Sequence, residues 1–343
     1  MTIKMERIWI AGPCAAESRE QVLTTAEQLV MCAHNNNIPL HYYRAGVWKV
    51  RSAPDSFAGA GEVALVWLQE VQQHYGIPVC TEVMNAEQVE LCAKHDIHNV
   101  WIGARTAVNP IDVQQIADAV RHSDFTVMVK NPMIPDLKLW MGNIERFRKA
   151  DIRQVMAIHR GVPDAKENVY RNAPLWHIPI DLKVLLPELP ILCDPSHLCG
   201  QVRLIPEIAQ LAMNYGFNGL MTECHYQPAQ ALSDTEQQLS PKEWATLISQ
   251  LDLRTDGSDL ELLKQRTVLE NIDHQISELL YQRMKTVDEI ADIKRKNHIA
   301  VVQPQQWQQV VQRYMKHTED TAYQNFIEQF LELLHQSSIN RQK

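Results

Sequence analysis

Four residues with metal-binding side chains follow short apolar segments in the first part of the chain. They are one cysteine, one histidine and two acids: Cys14, His197, Glu223 and Asp234. A thiolate, an imidazole and two carboxylates suit a borderline divalent ion such as Mn, Fe, Co or Zn. Each residue alone has an ordinary structural explanation, because a cysteine is usually a small core residue and Asp234, after Ser233, could cap a helix. The four together predict a metal site only if the fold brings them to one place.

Cationic side chains follow the same apolar segments, although the chain carries a formal net charge of −8. They are Arg44, Lys49, Arg51, Arg105, Lys130 and Arg160. Such a cluster repels itself unless a ligand brings several negative charges, and arginine suits bidentate binding of phosphate and carboxylate. The pattern predicts a pocket for small phosphorylated substrates. A lysine among arginines has a lowered pKa, so Lys130 could instead be a Schiff-base lysine.

Eight short apolar segments precede these residues, and helical patterns separate them. The segments span residues 8–11, 40–43, 78–80, 100–102, 126–129, 155–158, 191–193 and 219–222. Strands that alternate with helices predict a parallel sheet, and eight such units in about 250 residues fit a closed (β/α)8 TIM barrel. In that fold the strand ends meet at one rim, where active sites lie. An open doubly wound sheet is the alternative, but the chain lacks the Gly-x-Gly-x-x-Gly turn of dinucleotide-binding sheets.

The stretches that contain these residues resemble one family in both content and order. They include Gly12-Pro13-Cys14-Ala15-Ala16-Glu17-Ser18, Arg44-Ala45-Gly46, Lys49-Val50-Arg51-Ser52, Ile102-Gly103-Ala104-Arg105, Asp194-Pro195-Ser196-His197 and Ala231-Leu232-Ser233-Asp234. Over residues 6–250 the chain resembles the 3-deoxy-D-arabino-heptulosonate 7-phosphate (DAHP) synthases in their short bacterial subclass. This resemblance implies a metal-dependent, aldol-type condensation of phosphoenolpyruvate with erythrose 4-phosphate.

The same resemblance assigns roles to individual residues. The metal would be bound by Cys14, His197, Glu223 and Asp234. Phosphoenolpyruvate would be held by Arg44, Lys49, Arg105, Lys130 and Arg160. Erythrose 4-phosphate would be held by Arg51 and Ser52, and Lys49 would be the acid near the aldehyde oxygen. The family usually has Pro, Thr, Ser and Tyr at positions 50, 52, 53 and 55, where this chain has Val50, Ser52, Ala53 and Asp55. Related octulosonate synthases have a different loop here, so Lys49-x-Arg51-Ser52 favours the four-carbon aldehyde.

The composition changes after Gly257, which is the last of the chain's 12 glycines. We therefore place a linker at residues 253–258, between a barrel domain at 1–252 and an all-helical domain at 259–343. Residues 259–296 contain no Gly or Pro, and their apolar residues recur at helical spacing. This pattern predicts a helix of ~57 Å, followed by a second helix after Pro304 and a third at about 321–340. So long a helix cannot bury its apolar face within one small domain, which favours a dimerising helical hairpin.

Cations interrupt the long helix beside its apolar stripe. Arg266, Arg283 and Lys294 are spaced by 17 and 11 residues, which places them near one face. A coiled coil does not favour three cations there, whereas a dicarboxylate ligand would explain them. With Ser338 and Gln342 near the end, the pattern resembles the all-helical chorismate mutases. The resemblance implies a homodimer in which these five residues bind chorismate, Arg266 reaches the partner's site, and Lys294 and Gln342 act at the ether oxygen.

One pair in the tail departs from the mutase pattern. Gln306 and Trp307 stand where the family usually has a cation followed by Glu or Gln. This departure keeps open a second hypothesis, in which the tail only dimerises and senses prephenate or chorismate without catalysis. We also expect prephenate to regulate the barrel through this tail.

Composition narrows the remaining function classes. The acidic balance argues against a nucleic-acid-binding protein, which usually has a basic face. The seven cysteines form no Cys-x-x-Cys pair, and their odd number favours reduced thiols in the cytoplasm. Neither a signal peptide nor an apolar segment of ~18 residues is apparent, so no membrane partner is expected.

Overall fold

The computed structural model describes residues 7–49, 57–167, 169–253, 260–315 and 320–342. Contacts divide the chain into two compact units, residues 1–256 and 257–343. No helix in these described ranges is long and apolar enough to cross a membrane.

Parallel strands form a closed barrel in the first unit, in simple chain order, and the last strand pairs with the first. The strands are β1 (Ile8–Gly12), β2 (Tyr42–Arg44), β3 (Val79–Val83), β4 (Asn99–Ile102), β5 (Thr126–Lys130), β6 (Gln154–His159), β7 (Ile191–Cys193) and β8 (Gly219–Glu223). Each coincides with one of the apolar segments to within three residues at either end. The prediction of a (β/α)8 barrel is therefore confirmed, and the open-sheet alternative is wrong.

Helices follow the strands and cover the outside of the barrel. They are α1 (Arg19–Asn35), α2 (Val63–Tyr75), α3 (Ala86–Lys94), α4 (Pro110–Ala119), α5 (Leu137–Lys149), α6 (His177–Leu185), α7 (Pro195–Cys199), α8 (Ile205–Asn214) and α9 (Pro241–Gln250). Several begin at a side-chain cap, as expected from N-terminal N–H groups that lack a helical partner. Ser18 caps α1, Asn85 caps α3, and Ser240 forms a capping box with Glu243 at α9.

Two layers of apolar side chains result from the alternation of residues along each strand. The inner layer fills the barrel with Ile10, Cys80, Trp101, Met128, Met156, Ile158, Leu192 and Met221. The outer layer, which includes Leu29, Leu68 and Trp244, packs the strands against the helices. Because side chains fill the interior, a ligand can enter only at the rim.

A glycine lets the end of β1 approach β2 closely. Gly12 has a φ of +149°, and a Cβ built there would lie 2.0 Å from the carbonyl oxygen of Arg44. Only a residue without a side chain fits this approach. It brings the segment that contains Cys14 beside the end of β2.

The second unit consists, in its described residues, of α10 (Leu260–Lys296), α11 (Pro304–Met315) and α12 (Thr321–Arg341). The three predicted helices are confirmed. α12 packs against both other helices, and its Leu331 is buried, as are Val287 and Ala291 in the second half of α10. The 37 residues of α10 span about 55 Å. From Leu262 to Leu279 the apolar stripe is exposed, with Leu269 at 57% and Leu279 at 63%.

Candidate metal centre and substrate pocket

Three of the four predicted metal ligands meet at the barrel rim. Cys14 follows β1, Glu223 ends β8, and Asp234 lies in the loop after β8. Their ligand atoms all lie within 4.8 Å of one another, and Cys14 Sγ is 3.1 Å from Asp234 Oδ2. Cys14 and Glu223 are buried, while Asp234 is half-buried. We call these three residues the ligand cluster; a thiolate and two carboxylates can hold one borderline divalent ion.

His197, the fourth predicted ligand, lies beside the ligand cluster. Asp194 caps α7 and places the His197 ring with Nε2 3.6 Å from Glu223 Oε1. The other ring nitrogen, Nδ1, lies 2.8 Å from Asp194 Oδ2. Metal-bound histidines commonly direct their second nitrogen at a carboxylate, so this orientation fits Nε2 as a ligand atom. Burial lowers the pKa of His197 despite the charges of Asp194 and Glu223, which favours the neutral form that binds metals.

Each side chain of the ligand cluster has a cation beside it among the described residues. The pairs are Cys14–Lys49 with 3.1 Å between Sγ and Nζ, Glu223–Arg44 with 3.1 Å between Oε1 and Nη2, and Asp234–Arg171 with 2.8 Å between Oδ1 and Nη1. These three cations compensate the charge that the ligands would otherwise accumulate at the rim. Two of them, Lys49 and Arg44, are residues that the sequence assigned to phosphoenolpyruvate.

Protonation differs within the ligand cluster. Burial raises the pKa of the Cys14 thiol to about 12, and the Glu223 charge adds to that rise. Burial alone would raise the pKa of Asp234 as well, but His197 and Arg171 hold it well below its usual range. The carboxylate is therefore ready to bind a cation, whereas Cys14 must release a proton when it becomes a ligand.

Two of the predicted phosphoenolpyruvate residues, Arg44 and Lys130, lie over the Trp101 ring at the barrel mouth. The Arg44 guanidinium carbon lies 4.8 Å from the centre of the Trp101 ring, and Lys130 Nζ lies 5.8 Å from it. Arg44 is fully buried, and its Nε and Nη1 have no hydrogen-bond partner among the described residues. Unpaired buried donors are costly, so these N–H groups fit a site that an anionic ligand completes.

The other cations of the mouth differ in burial. Lys130 is buried with Nζ 2.6 Å from Asp194 Oδ2; burial lowers its pKa, and Asp194 opposes that shift. Arg160 is buried and donates to Asn172 Oδ1 over 2.8 Å, and burial lowers its pKa to about 10. Arg105 is exposed in the loop after β4. The predicted erythrose 4-phosphate residues, Arg51 and Ser52, lie outside the described residues.

His159 precedes Arg160 at the end of β6 but does not face the barrel interior. Its ring centre lies 5.3 Å from that of Trp176, in the layer outside the barrel. Burial lowers the pKa of His159 to about 3, so it is a neutral packing residue. Of this strand-end pair, only Arg160 belongs to the mouth.

Three polar residues of the site were missed from the sequence. Asp194 contacts both Lys130 and His197, and it stands within the recognisable Asp194-Pro195-Ser196-His197 stretch. Arg171 and Gln237 lie in loops, and no strand-end pattern or spacing marks them. Together with Tyr170, Gln201 and Asp234, among others, these two residues line a cavity of about 490 Å³.

In the helical unit, the structure brings some of the predicted chorismate residues together. Arg283 Nη1 donates to Ser338 Oγ over 2.8 Å, which joins α10 to α12. Gln342 Oε1 is buried without a partner among the described residues, and Lys294 Nζ donates to the Val301 carbonyl over 2.7 Å. Arg266 is exposed and lies about 25 Å from Arg283 along α10. Within one chain, Arg266 therefore does not come close to the other predicted chorismate residues.

One residue of the α11 pair that departs from the mutase pattern, Trp307, has an unexpected contact. Trp307 stacks on His335 of α12, with ring centres 4.0 Å apart and planes at 9°. Gln306 is exposed. An aromatic stack thus stands where the mutase pattern has polar groups.

Comparisons with known proteins match both units. The model of the DAHP synthetase I family matches residues 4–256, and that of chorismate mutase type II matches residues 265–343. A phospho-2-dehydro-3-deoxyheptonate aldolase of Thermotoga maritima is 29% identical over 249 residues, which are 72% of this chain and 70% of the relative. A 2-dehydro-3-deoxyphosphooctonate aldolase of an Azoarcus species is 29% identical over 283 residues, covering 76% of this chain and 93% of the relative. A crystal structure of the Thermotoga enzyme superposes with a TM-score of 0.62 at 27% identity, over 71% of this chain and 68% of that one.

Proposed function

Since this chain belongs to the DAHP synthetase I family and contains a chorismate mutase type II domain, we propose that it catalyses two reactions of the shikimate pathway. The barrel condenses phosphoenolpyruvate with erythrose 4-phosphate to give DAHP and phosphate. The helical unit rearranges chorismate to prephenate. The observation that carries the first assignment is the buried cationic mouth directly beside the ligand cluster.

The donor set fits one divalent ion. Cys14 offers sulfur, Glu223 and Asp234 offer oxygen, and His197 offers a nitrogen beside them, a mixture that suits Mn, Co, Fe or Zn. When bound, such an ion supplies Lewis-acid activation of the aldehyde oxygen.

The cations of the mouth bind and orient phosphoenolpyruvate. Arg44 offers its unpaired N–H groups, and Lys130 and Arg160 add positive charge from neighbouring strands. These groups fix the phosphate and carboxylate while C3 attacks the aldehyde carbon, water adds at C2 and phosphate leaves. Exposed Arg105 contacts the ligand from the edge of the mouth. Lys49, with Nζ beside Cys14 Sγ, donates a proton to the aldehyde oxygen.

The aldehyde is assigned from the loop that follows Lys49. Its Lys49-x-Arg51-Ser52 sequence supports erythrose 4-phosphate, with Arg51 and Ser52 as the phosphate-binding residues. Relatives named for the heptonate and for the octonate product are equally identical to this chain. The competing aldehyde is therefore arabinose 5-phosphate, and the test must include it.

The deciding experiment measures phosphoenolpyruvate consumption with each aldehyde, with and without EDTA. We expect turnover with erythrose 4-phosphate, at least about 100-fold above arabinose 5-phosphate, that EDTA abolishes and Mn²⁺ restores. Faster turnover with arabinose 5-phosphate would overturn the substrate assignment. EDTA-insensitive activity, with borohydride trapping of substrate on Lys130, would establish the Schiff-base mechanism instead.

The helical site supports catalysis by conformational restriction. Arg283 and Ser338, already in contact, bind a carboxylate and orient chorismate in a compact conformer. Lys294 and Gln342 donate to the ether oxygen, on which charge develops as the C–O bond breaks. No nucleophile is required, because the reaction is an intramolecular rearrangement.

A homodimer through the helical unit completes this site. The exposed apolar side chains of α10 form a continuous stripe that a second copy would cover: Leu262, Leu269, Ile272, Ile276 and Leu279. Tyr323 and Phe326 of α12 are also exposed. An antiparallel partner would bring its Arg266 to the Arg283 of this chain, which accounts for the distance of about 25 Å between them in one chain.

The second candidate is a tail that binds prephenate or chorismate without turnover. The Trp307–His335 stack favours it, because it replaces polar groups that the mutase pattern has there. Following the ultraviolet absorbance of chorismate distinguishes the two candidates, since only a mutase consumes it. Feedback by prephenate is expected in either case. Synthase activity that prephenate leaves unchanged would remove the regulatory role.

The free cysteines of the chain support a proposal for its cellular compartment. All seven cysteines are free, and six of them are buried. Free thiols in this number support a reducing compartment, and we propose the cytoplasm.

A further inference from the structure

A buried amide connects one carboxylate of the ligand cluster to a cation on the rim, and that cation contacts the other carboxylate. Gln237 is 1% exposed and ends the short 3-10 helix Thr235–Gln237 that follows Asp234. Its Nε2 donates to Glu223 Oε2 over 2.6 Å, and its Oε1 accepts from Arg171 Nη1 over 2.6 Å. The same Nη1 donates to Asp234 Oδ1 over 2.8 Å. One chain of hydrogen bonds therefore runs from Glu223 through Gln237 and Arg171 to Asp234.

The neighbours of Gln237 determine how its amide is oriented. A carboxylate only accepts hydrogen bonds, and a guanidinium only donates them. The NH₂ group must therefore face Glu223 and the carbonyl oxygen must face Arg171. A flipped amide would set acceptor against acceptor and donor against donor. The chain of hydrogen bonds thus has a single arrangement.

Each carboxylate uses one oxygen for this chain and directs the other at the metal centre. Asp234 Oδ1 accepts from Arg171 Nη1, while its Oδ2 lies 3.1 Å from Cys14 Sγ. Glu223 Oε2 accepts from Gln237 Nε2, while its Oε1 lies 3.6 Å from His197 Nε2 and also accepts from Arg44 Nη2 over 3.1 Å. The outer oxygens are held, and the inner oxygens face the other candidate ligands.

We propose that Gln237 and Arg171 are positioning residues of the metal centre. They fix the outer oxygens of Glu223 and Asp234, so that the inner oxygens stay directed at His197 and Cys14. This inference rests on the proposed metal site and adds to it the residues that set its affinity. Partners of ligands that play this role usually change metal affinity by about 10- to 100-fold when removed.

Gln237 tests this inference more cleanly than Arg171. Arg171 carries a charge that repels a divalent ion, so its removal both loosens Asp234 and relieves repulsion. Its side chain is 47% exposed on the cavity wall, where solvent screens that charge. Gln237 is neutral and buried, so its substitution changes the hydrogen bonds without changing the charge.

The experiment measures the dissociation constant of Mn²⁺ for the full chain, from the electron paramagnetic resonance signal of free Mn²⁺. Gln237→Met keeps the length of the side chain and removes both hydrogen bonds; we expect binding to weaken by about 10- to 100-fold. Gln201→Met, the same substitution on the same cavity wall, should bind as the wild type does. At saturating Mn²⁺ the activity of Gln237→Met should recover with an unchanged KM for phosphoenolpyruvate, because the hydrogen bonds of Gln237 go to Glu223 and Arg171 and not to the cations assigned to phosphoenolpyruvate.

The outcomes separate this inference from the proposed function. A dissociation constant for Gln237→Met within about threefold of the wild type overturns the positioning role and leaves the metal site intact. Absence of Mn²⁺ binding by the wild type, or unchanged binding by Cys14→Ser, overturns the metal site itself. Circular dichroism of the metal-free variants checks folding. If Gln237→Met does not fold, Gln237→Asn replaces it, because the shorter amide cannot reach both Glu223 and Arg171 and the charge is unchanged. Binding as tight as in the wild type then overturns the inference.

Discussion

The barrel rim and the helical tail build their sites in opposite ways. At the rim, Cys14 is more than 200 residues from Glu223 and Asp234 in the chain, yet the ligand atoms of all three lie within 4.8 Å of one another. In the tail, Arg266 and Arg283 belong to one helix and remain about 25 Å apart. A closed sheet returns its last strand to its first, so distant segments meet. A straight helix holds its residues in a line, so the proposed mutase site needs a second chain to bring them together.

The two sites also differ in how their charges are held. At the rim, the Arg44–Glu223 pair is fully buried on both sides. In the tail, Arg283 is half-buried and pairs with a neutral hydroxyl. A buried charge that loses its partner is strongly destabilising, whereas an exposed one is solvated by water. The rim should therefore respond to substitution through stability, and the tail through activity.

The largest expected effect is on barrel stability. In the metal-free protein, Arg44→Ala should lower the free energy of unfolding by about 3–5 kcal/mol, because the buried Glu223 carboxylate loses the cation it pairs with. Urea denaturation followed by tryptophan fluorescence measures it, since seven of the 8 tryptophans precede residue 257. Arg283→Ala, the comparison in the tail, should cost only about 1 kcal/mol. An equal cost for the two variants would contradict the difference drawn between the regions.

The next effect is confined to the tail. Lys294→Ala should lower the kcat/KM for chorismate by about 100- to 1000-fold, because a donor to the developing negative charge is lost. Synthase activity of the same variant should be unchanged. Lys296→Ala is the matched control, since Lys296 is exposed in the last turn of the same helix. If Lys294→Ala turns over chorismate at the wild-type rate, the tail is a sensor.

A smaller effect tests whether two chains build each mutase site. Arg266→Ala and Lys294→Ala should each be inactive as homodimers. Co-expressed, they should regain about one quarter of wild-type mutase activity, because half of the dimers are mixed and each mixed dimer has one intact site. Activity that stays at the mean of the two variants would show that each site uses one chain only.

The smallest effect concerns a surface pair of the tail. Arg341 donates to Asp288 over 2.6 and 2.8 Å, and these hydrogen bonds lower the pKa of Asp288 below its ordinary value of 3.8. A lowered folded-state pKa stabilises the fold above the unfolded pKa, and that stability is lost as the pH falls through the folded value.

Asp288→Asn should therefore lower the melting temperature by a few degrees at most near pH 7, as for other exposed pairs. The difference from the wild type should shrink as the pH falls below the ordinary value of 3.8 and vanish once Asp288 is protonated in the folded protein. Calorimetry of the full chain measures both, with Glu289→Gln as an exposed neighbouring control. A difference that persists at low pH would mean that charge is not its cause.

Local patterns were sufficient to predict most of the fold. Each strand of the barrel is an apolar segment between turn residues, and α10 was visible as a long stretch without Gly or Pro. Patterns of burial repeat every two residues in a strand and about every 3.6 in a helix, so they are present in any short window of sequence. Strand-end residues such as Arg44 and Lys130 could be named because barrel strands end at one rim.

The direction of a side chain at a strand end was harder to predict from the sequence. His159 and Arg160 are adjacent and both can do chemistry, but one packs outside the barrel and the other lies at the mouth. Neighbouring residues on a strand point to opposite faces, and the sequence does not show which face the last residue takes once the strand ends.

The sequence by itself determined the barrel, the three tail helices and the candidate ligands, because periodicity and residue chemistry are local properties. Only the tertiary structure decided the hydrogen-bond chain from Glu223 through Gln237 and Arg171 to Asp234. Arg171 lies 63 residues from Asp234 in a different loop. Their contact exists because barrel closure brings the loops after β6 and β8 together at one rim. The sequence of either loop alone does not predict that it contacts the other.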